Sequence, residues 1–179
     1  MLRLFTMATI ALFAIAPMRA VHAQTATQDI IISATVLKTC TINNAAVGTP
    51  DTATIAITAS GSVDTSVVTP TNSPYANVSC NAPSDLQLTS LNGGVKNATT
   101  VSGLTNIINY TASATWHGVT ATLNTSTLAT AVGAESGTAQ PVSTAFSGSL
   151  SVSITPIANS QPLVQGAYSD TLRVTLTPQ

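Results

Sequence analysis

Apolar residues recur at every second position in several stretches of this chain, and no stretch repeats them with the period of a helix. The clearest case is residues 168–177, where Leu172, Val174 and Leu176 alternate with Arg173 and Thr175. Alternation of this kind places successive side chains on opposite faces of a β-strand. Comparable runs occupy residues 75–80, 85–91, 107–117, 119–123 and 145–157. About seven to nine short strands separated by turns predict an all-β protein, an immunoglobulin-like antiparallel sandwich.

Weaker patterns lie between these runs. Residues 52–58 and 63–68 are candidate short strands. Asn92-Gly93-Gly94 has the composition of a hairpin turn, and His117-Gly118 predicts a second turn. Residues 125–141 are small and polar, which predicts a loop that contains at most a fragment of strand.

The first 23 residues have the composition of a secretory signal peptide. Arg3 precedes an apolar run at residues 4–16, and Val21-His22-Ala23 offers small residues at the positions that a signal peptidase recognises. A membrane helix is the alternative, but a span needs about 20 apolar residues and Pro17 interrupts this run. We therefore expect residues 1–23 to be removed and residues 24–179 to be exported as one domain.

A further alternating stretch follows this leader at residues 29–39. Ile30, Ile32, Ala34 and Val36 occupy every second position, which predicts a strand with one buried face. Few residues precede it in the expected mature chain, so two interpretations are open. The segment is either the first strand of the chain's own sandwich or a strand that completes another molecule.

Charged residues are scarce in residues 24–179. Three basic and six acidic residues give this part of the chain a net charge of −3. No cluster of lysine and arginine is present to bind a phosphate backbone, so nucleic acid is not an expected partner. Serine and threonine provide the polar surface instead.

Two cysteines remain after the leader, Cys40 and Cys80. An even number in an exported chain predicts a disulfide, and closing a loop of about 40 residues stabilises the folded state by about 4 kcal/mol. The alternation in residues 75–80 puts Cys80 on the apolar face, so we expect the disulfide to span the core. Two cysteines and one histidine are too few ligands for a metal site, so no metal is expected.

Groups that could perform catalysis are also few. His117 is the one histidine of residues 24–179, and a Ser-His-Asp site would have to use it. It stands beside Gly118 at a predicted turn, and no GxSxG motif precedes it. We expect an exposed turn histidine, no catalytic residues and no cofactor. The chain is not expected to be an enzyme.

Three features of the chain together indicate a family. Residues 24–39 lead directly to Cys40, and residues 77–80, Asn-Val-Ser-Cys, end a predicted strand in the second cysteine. Near the C-terminus, Gly166, Tyr168 and Asp170 belong to the segment Gly-Ala-Tyr-Ser-Asp-Thr-Leu-Arg-Val-Thr-Leu. The combination resembles chaperone–usher pilin subunits of the spore coat protein U domain type, which build archaic pili. The C-terminal segment is similar to that family's Gly-x-Tyr-x-Asp-x-Leu-x-Val-Thr signature.

The resemblance implies an immunoglobulin-like sandwich that lacks its last strand. Such a domain has an apolar groove beside its C-terminal strand, here edged by Leu172, Val174 and Leu176. A periplasmic pilus chaperone fills the groove first. At an outer-membrane usher, the N-terminal extension of a neighbouring pilin subunit then replaces the chaperone, and this exchange adds a strand to the sheet.

In this chain the implied extension is residues 24–38, and the implied domain is residues 39–179. The donor side chains would be Ile30, Ile32, Ala34 and Val36. The expected function is therefore a structural subunit of a pilus or fimbria at the cell surface, serving adhesion or biofilm formation. The alternative is a monomeric secreted sandwich, either a coat protein or a module that binds ligands such as glycans through exposed Trp116 or Tyr75.

Overall fold

The computed structural model describes residues 26–43, 45–127 and 133–179. The expected signal peptide, residues 1–23, lies outside the described residues. The described part of the chain is all β, with its strands in antiparallel sheets. None of the described residues belongs to a helix long and apolar enough to cross a bilayer.

The chain divides into two units, residues 1–35 and residues 36–179, and every described strand belongs to the second. In chain order the strands are β1 (Cys40–Ile42), β2 (Tyr75–Cys80), β3 (Ser84–Ser90), β4 (Val95–Lys96), β5 (Ile107–Ile108), β6 (Tyr110–Trp116), β7 (Val119–Asn124), β8 (Glu135–Ser136), β9 (Gln140–Val142), β10 (Phe146–Pro156) and β11 (Leu172–Pro178). The strands predicted in residues 75–80, 85–91, 119–123, 145–157 and 168–177 are confirmed, most with shifted ends. The run predicted at residues 107–117 is strand, but it divides at Asn109 into β5 and β6, which belong to different sheets.

Two antiparallel sheets form the sandwich. The larger sheet has the order β1-β2-β10-β6-β7, and the smaller has the order β11-β3-β8, with β9 also paired to β3. β4 and β5 form a separate two-stranded sheet. The edge strands of the larger sheet are β1 and β7, and β11 is an edge strand of the smaller sheet.

The core lies between the two sheets because the apolar alternation of each strand faces inward. In the smaller sheet, β3 buries Leu86 and Leu88 completely, whereas Gln87 between them is only partly buried. In the larger sheet, β6 buries Tyr110, Ala112, Ala114 and Trp116. The alternation seen in the sequence is thus an alternation between core and surface.

Hydroxyl side chains join neighbouring strands of the larger sheet. The side-chain oxygens of Ser113 on β6 and Ser153 on β10 lie 2.8 Å apart. The same distance, 2.8 Å, separates the hydroxyls of Thr115 on β6 and Thr120 on β7. Cross-strand pairs of this kind stabilise a sheet. The abundant serine and threonine therefore supply cross-strand pairs as well as a polar surface.

Two predicted strands are wrong. Residues 52–58 and 63–68 form isolated bridges only, between Ile57 and Val63 and between Val68 and Ile154. Gly61 turns the chain between the two segments with a φ of 74°. Residues 52–58 are bridged at Ile57 and residues 63–68 at Val63 and Val68, and none of these bridges extends into a ladder.

The turn predicted at Asn92-Gly93-Gly94 exists, but it is not a hairpin. β3, which precedes it, pairs with β11, β8 and β9, whereas β4, which follows it, pairs with β5. The turn thus leads from one sheet to another. Local composition predicted the change of direction, but the long-range pairing of β3 with β11 decides where the next strand goes.

Cys40 and Cys80 form the predicted disulfide. They are directly opposite each other in β1 and β2, with Cα atoms 4.1 Å apart. The bond therefore joins neighbouring strands of one sheet, and the expectation that it spans the core is wrong. Cys80 is buried, as its position in the alternation predicted, but β1 lies beside it in the same sheet.

Candidate functional site: an open edge of the sandwich

The side of the sandwich that contains β7, β8 and β9 is closed by the chain itself. Gly137, between β8 and β9, donates its N–H to the carbonyl oxygen of Leu88 at 2.9 Å. A Cβ at Gly137 would collide with the carbonyl oxygen of Thr122 on β7, so the backbone here passes directly between the two sheets. Leu123 and Val142 behind it are buried.

On the opposite side, no ladder joins β1 to β11 in the described residues. These two edge strands contact each other, but they belong to different sheets, and no backbone hydrogen bond joins them in the described residues. Their inward side chains pack on the core and are only partly buried. We call them the open edge: Cys40 and Ile42 on β1, and Leu172, Val174 and Leu176 on β11.

The exposure of β11 differs from that of the strand beside it. Val174 lies opposite Leu88 and Leu176 lies opposite Leu86 in the β11–β3 ladder. Both leucines of β3 are 0% exposed, whereas Val174 and Leu176 are partly exposed. On the side away from β3, the backbone N–H and C=O groups of an edge strand are available to pair with another strand. β11 therefore combines an apolar face with an accessible backbone.

Asp170 holds the beginning of β11 in place. Its Oδ2 atom accepts a 2.6 Å hydrogen bond from the hydroxyl of Ser90 and another of 2.6 Å from the hydroxyl of Tyr110. Its Oδ1 atom accepts hydrogen bonds from the backbone N–H groups of Asn92 and Thr171, at 3.0 and 2.7 Å. Burial, together with the hydrogen bond to Asp170, raises the pKa of Tyr110 well above its usual range. The carboxylate thus connects both sheets to the start of the edge strand.

Gly166 and Tyr168 shape the approach to β11. Gly166 has a φ of 143°, and a Cβ at this position would collide with the side-chain amide of Asn97. The hydroxyl of Tyr168 lies 2.9 Å from the carbonyl oxygen of Val164 and 3.1 Å from that of Thr105. Burial raises the pKa of Tyr168. Gly166, Tyr168 and Asp170 therefore precede the apolar face of β11 and position it.

The expected donor side chains lie in the segment that precedes β1. Ile30, Ile32 and Val36 are 80%, 91% and 81% exposed, and Ala34 is exposed as well. The structure assigns no strand to residues 26–39, so the strand predicted at residues 29–39 is absent from the single chain. A segment becomes a strand only beside a hydrogen-bonded neighbour, and neither sheet of the sandwich includes these residues.

The aromatic residues considered for ligand binding have different environments. Trp116 is fully buried and packs edge to face against Phe146, so the expectation that it is exposed is wrong. It shares the inward face of β6 with small residues such as Ala114, which leave room for the indole. Tyr75 is partly buried and donates its hydroxyl to Asp51 at 3.0 Å. Burial and the hydrogen bond to Asp51 raise the pKa of Tyr75 to about 12.

His117 is an exposed turn residue, as predicted. It and Gly118 have φ values of 51° and 74°, which suit the tight turn of the β6–β7 hairpin. Its ring packs against Phe146, and its Nε2 atom lies 3.3 Å from the hydroxyl of Thr144. In the part of the chain that the structure describes, no three His, Cys, Asp or Glu side chains are grouped so that they could hold a metal ion.

Of the open edge, only the β11 half was predicted from the sequence. Cys40 and Ile42 form the other half, and their two-residue spacing is the signal that could have identified them as one face. No protein-family model, curated protein or solved structure matches this chain. The fold and the site define the class: an antiparallel β-sandwich with one open edge, in a chain that also carries an exposed apolar segment.

Proposed function

We propose that this protein is the structural subunit of a surface pilus or fimbria, assembled along the chaperone–usher route. In each subunit the segment that carries Ile30, Ile32, Ala34 and Val36 fills the open edge of the next subunit. The inserted segment pairs with β11 and adds the missing strand to the smaller sheet. A neighbouring copy thereby completes each sandwich.

One observation carries this proposal. The same chain has an apolar strand edge that is only partly covered and an apolar segment with strand-like alternation that is exposed. Each feature leaves apolar side chains in contact with water, as the 91% exposure of Ile32 illustrates. Two copies can remove both exposures at once when the segment of one lies against β11 of the other.

The physical chemistry of strand addition explains why the donor side chains are apolar. Ordering a segment costs about 1–2 kcal/mol per residue, and each new ladder hydrogen bond contributes only about 1 kcal/mol net. Burial of a branched apolar side chain contributes a further 1.5–3 kcal/mol, roughly. Hydrogen bonds alone therefore do not exceed the ordering cost clearly. Hydrogen bonds and apolar burial together exceed the ordering cost. A polar segment would lack the contribution from apolar burial.

The same edge accounts for the proposed partners. An uncovered apolar strand edge promotes aggregation, so a subunit in transit needs a temporary cover. A periplasmic chaperone supplies that cover, and an outer-membrane usher passes the subunit to its neighbour. The product is a fibre at the cell surface that serves adhesion or biofilm formation. In this function the chain is a building block and catalyses no reaction.

Oligomer formation by the purified chain of residues 24–179 tests the proposal. We expect a ladder of oligomers that survives SDS and separates on heating. A variant that lacks residues 24–37 has an acceptor edge but no donor, so it should form no ladder. A synthetic peptide of residues 24–37 should bind this variant, and the same peptide with Ile32→Asp is the matched control.

Ladders from the truncated variant would contradict the assignment of the donor. A full chain that remains monomeric at every concentration would contradict the proposal as a whole. If such a monomer also bound a glycan with measurable affinity, the secreted binding module would be the better description.

A further inference from the structure

Asn81 makes three hydrogen bonds to the residues that immediately precede β1. Its backbone N–H donates to the carbonyl oxygen of Thr39 at 3.1 Å. Its side-chain Oδ1 atom accepts the N–H of Thr39 at 2.7 Å, and its Nδ2 group donates to the carbonyl oxygen of Leu37 at 2.8 Å. One residue thus binds both sides of residue 38.

These bonds take the place of a ladder that the backbone cannot continue. β2 ends at Cys80, opposite Cys40, and β3 begins at Ser84 in the other sheet. Residues 81–83 therefore leave the larger sheet just where residues 37–39 need a partner. The side-chain amide of Asn81 presents an N–H donor and a C=O acceptor side by side, as a backbone peptide group does. Residues 37–39 are held beside Asn81 as a continuation of the β1–β2 pairing.

The end of β11 is also held beside residues 81–83. The backbone N–H of Gln179 donates to the carbonyl oxygen of Pro83 at 2.8 Å. β1 begins beside residues 81–83 and β11 ends beside them, so the two strands that border the open edge run in opposite directions. A segment that folded back from β1 onto its own open edge would have to reverse direction within residues 37–39. It would then lie parallel to β11, in the less stable of the two pairings.

We infer that Asn81 is a positioning residue that prevents the donor segment, residues 30–36, from closing on the open edge of its own chain. This inference rests on the proposed function. Reversal within residues 37–39 breaks both hydrogen bonds of the Asn81 side chain, so the closed monomer is disfavoured. The donor segment consequently remains available for a second copy. Asn81 therefore regulates the choice between a closed monomer and a fibre.

Amide hydrogen exchange on the monomeric fraction of residues 24–179 tests this inference. In the wild-type chain we expect a protected Thr39 amide and fast exchange across residues 30–36. In Asn81→Ala we expect protection of residues 30–36 that does not depend on protein concentration, together with a lower yield of ladder. Loss of two exposed hydrogen bonds corresponds to a shift of about fivefold to 150-fold towards the closed monomer.

Three further variants define the outcome. Asn77→Ala is the matched control, because Asn77 is exposed on β2, which ends one residue before Asn81, and its side chain makes no hydrogen bond in the described residues; it should behave as wild type. Asn81→Gln keeps the amide and should restore part of the ladder. Asn81→Asp keeps the acceptor but loses the donor to Leu37, so it should be intermediate. If Asn81→Ala fails to fold, Asn81→Asp is the variant that tests the inference.

Fast exchange at residues 30–36 with an unchanged ladder yield in both Asn81→Ala and Asn81→Asp would overturn the inference. A wild-type chain that forms no ladder is a different result, because it refutes the pilus function. Exchange in the monomeric variants still tests the role of Asn81 in that case. The two failures are therefore distinguishable.

Discussion

The hydroxyl of Tyr110 donates a 2.6 Å hydrogen bond to Oδ2 of Asp170, and this bond links the larger sheet to the start of β11. Tyr110 is 2% exposed and Asp170 is partly buried, so the bond lies at the boundary between core and surface. Among the described residues, β11 pairs with β3 alone. The bond from Tyr110 in the larger sheet therefore stabilises the start of β11, which is an edge strand.

Replacing Tyr110 by Phe removes this bond and keeps the ring. Hydrogen bonds to charged groups contribute about 1.5–3 kcal/mol, so we expect the free energy of unfolding to fall by that amount in urea titrations of the monomer. Tyr75→Phe is the matched control, because its hydroxyl also bonds a carboxylate, that of Asp51, at a more exposed position. A larger loss for Tyr75→Phe than for Tyr110→Phe would contradict the structural importance of the Tyr110–Asp170 bond.

The raised pKa of Tyr110 predicts a loss of stability at alkaline pH. Burial, followed by the hydrogen bond to Asp170, raises this pKa above the ordinary value of 10.0, so the folded state retains the phenol proton that the unfolded state releases. The stabilisation is fully present below pH 10.0 and is lost progressively as the pH rises above it. Tyr75, whose pKa is about 12, contributes in the same direction.

Urea midpoints measured from about pH 8 to pH 11 should therefore fall for the wild-type chain, and the fall should be smaller for Tyr110→Phe. Equal slopes for the two proteins would show that Tyr110 titrates alike in the folded and unfolded states.

The disulfide should stabilise β1, one of the two strands that border the open edge. Cys40 and Cys80 are separated by 40 residues, and a loop of that length corresponds to about 4 kcal/mol in the chain-entropy model. We expect the double variant Cys40→Ala/Cys80→Ala to unfold with a free energy lower by about that amount. Because β1 has only three residues and pairs with β2, the amide of Thr41, which lies opposite Ser79, should also exchange faster. An unchanged urea midpoint would contradict this role.

Alternation predicted strands correctly where the chain's own core covers one face. β3, β6 and β10 bury residues such as Leu88, Trp116 and Leu150, so the inward set is apolar and the outward set is polar. The same pattern implied that Trp116 faces the core, since it follows Ala112 and Ala114 at a spacing of two. The expectation of an exposed tryptophan overlooked that spacing.

Pairing between distant segments could not be predicted from local composition. The turn at residues 92–94 looked like a hairpin, but β3 pairs instead with β11, about eighty residues later. The disulfide was predicted, but its place within one sheet depends on β1 lying beside β2. Residues 29–39 show the limit most clearly, because alternation predicts a strand and does not say which molecule provides its neighbour.

A pair of substitutions on the donor segment tests which of its faces is buried in the proposed fibre. Ile32→Asp places a carboxylate on the face assigned to the neighbouring core, and burying an unpaired charge is strongly unfavourable, so the ladder should disappear. Ile31→Asp changes the adjacent residue on the other face and should reduce the ladder much less. Both residues are more than 90% exposed in the single chain, so neither change should alter the urea midpoint of the monomer. The opposite order of effects would reverse the facing assignment.

Mixing two defective subunits tests the direction of assembly. Ile32→Asp removes the donor and leaves the acceptor, whereas Val174→Asp charges the middle of β11 and removes the acceptor. Each variant alone should be monomeric, and an equimolar mixture should form a dimer that grows no further, because one copy can donate and the other can only accept. Circular dichroism and the intact disulfide verify that Val174→Asp is folded. Arg173→Asp, on the exposed face of the same strand and opposite Thr89, is the control and should still form ladders. A mixture that remains monomeric, or that forms long ladders, would refute the assignment of donor segment and open edge to each other.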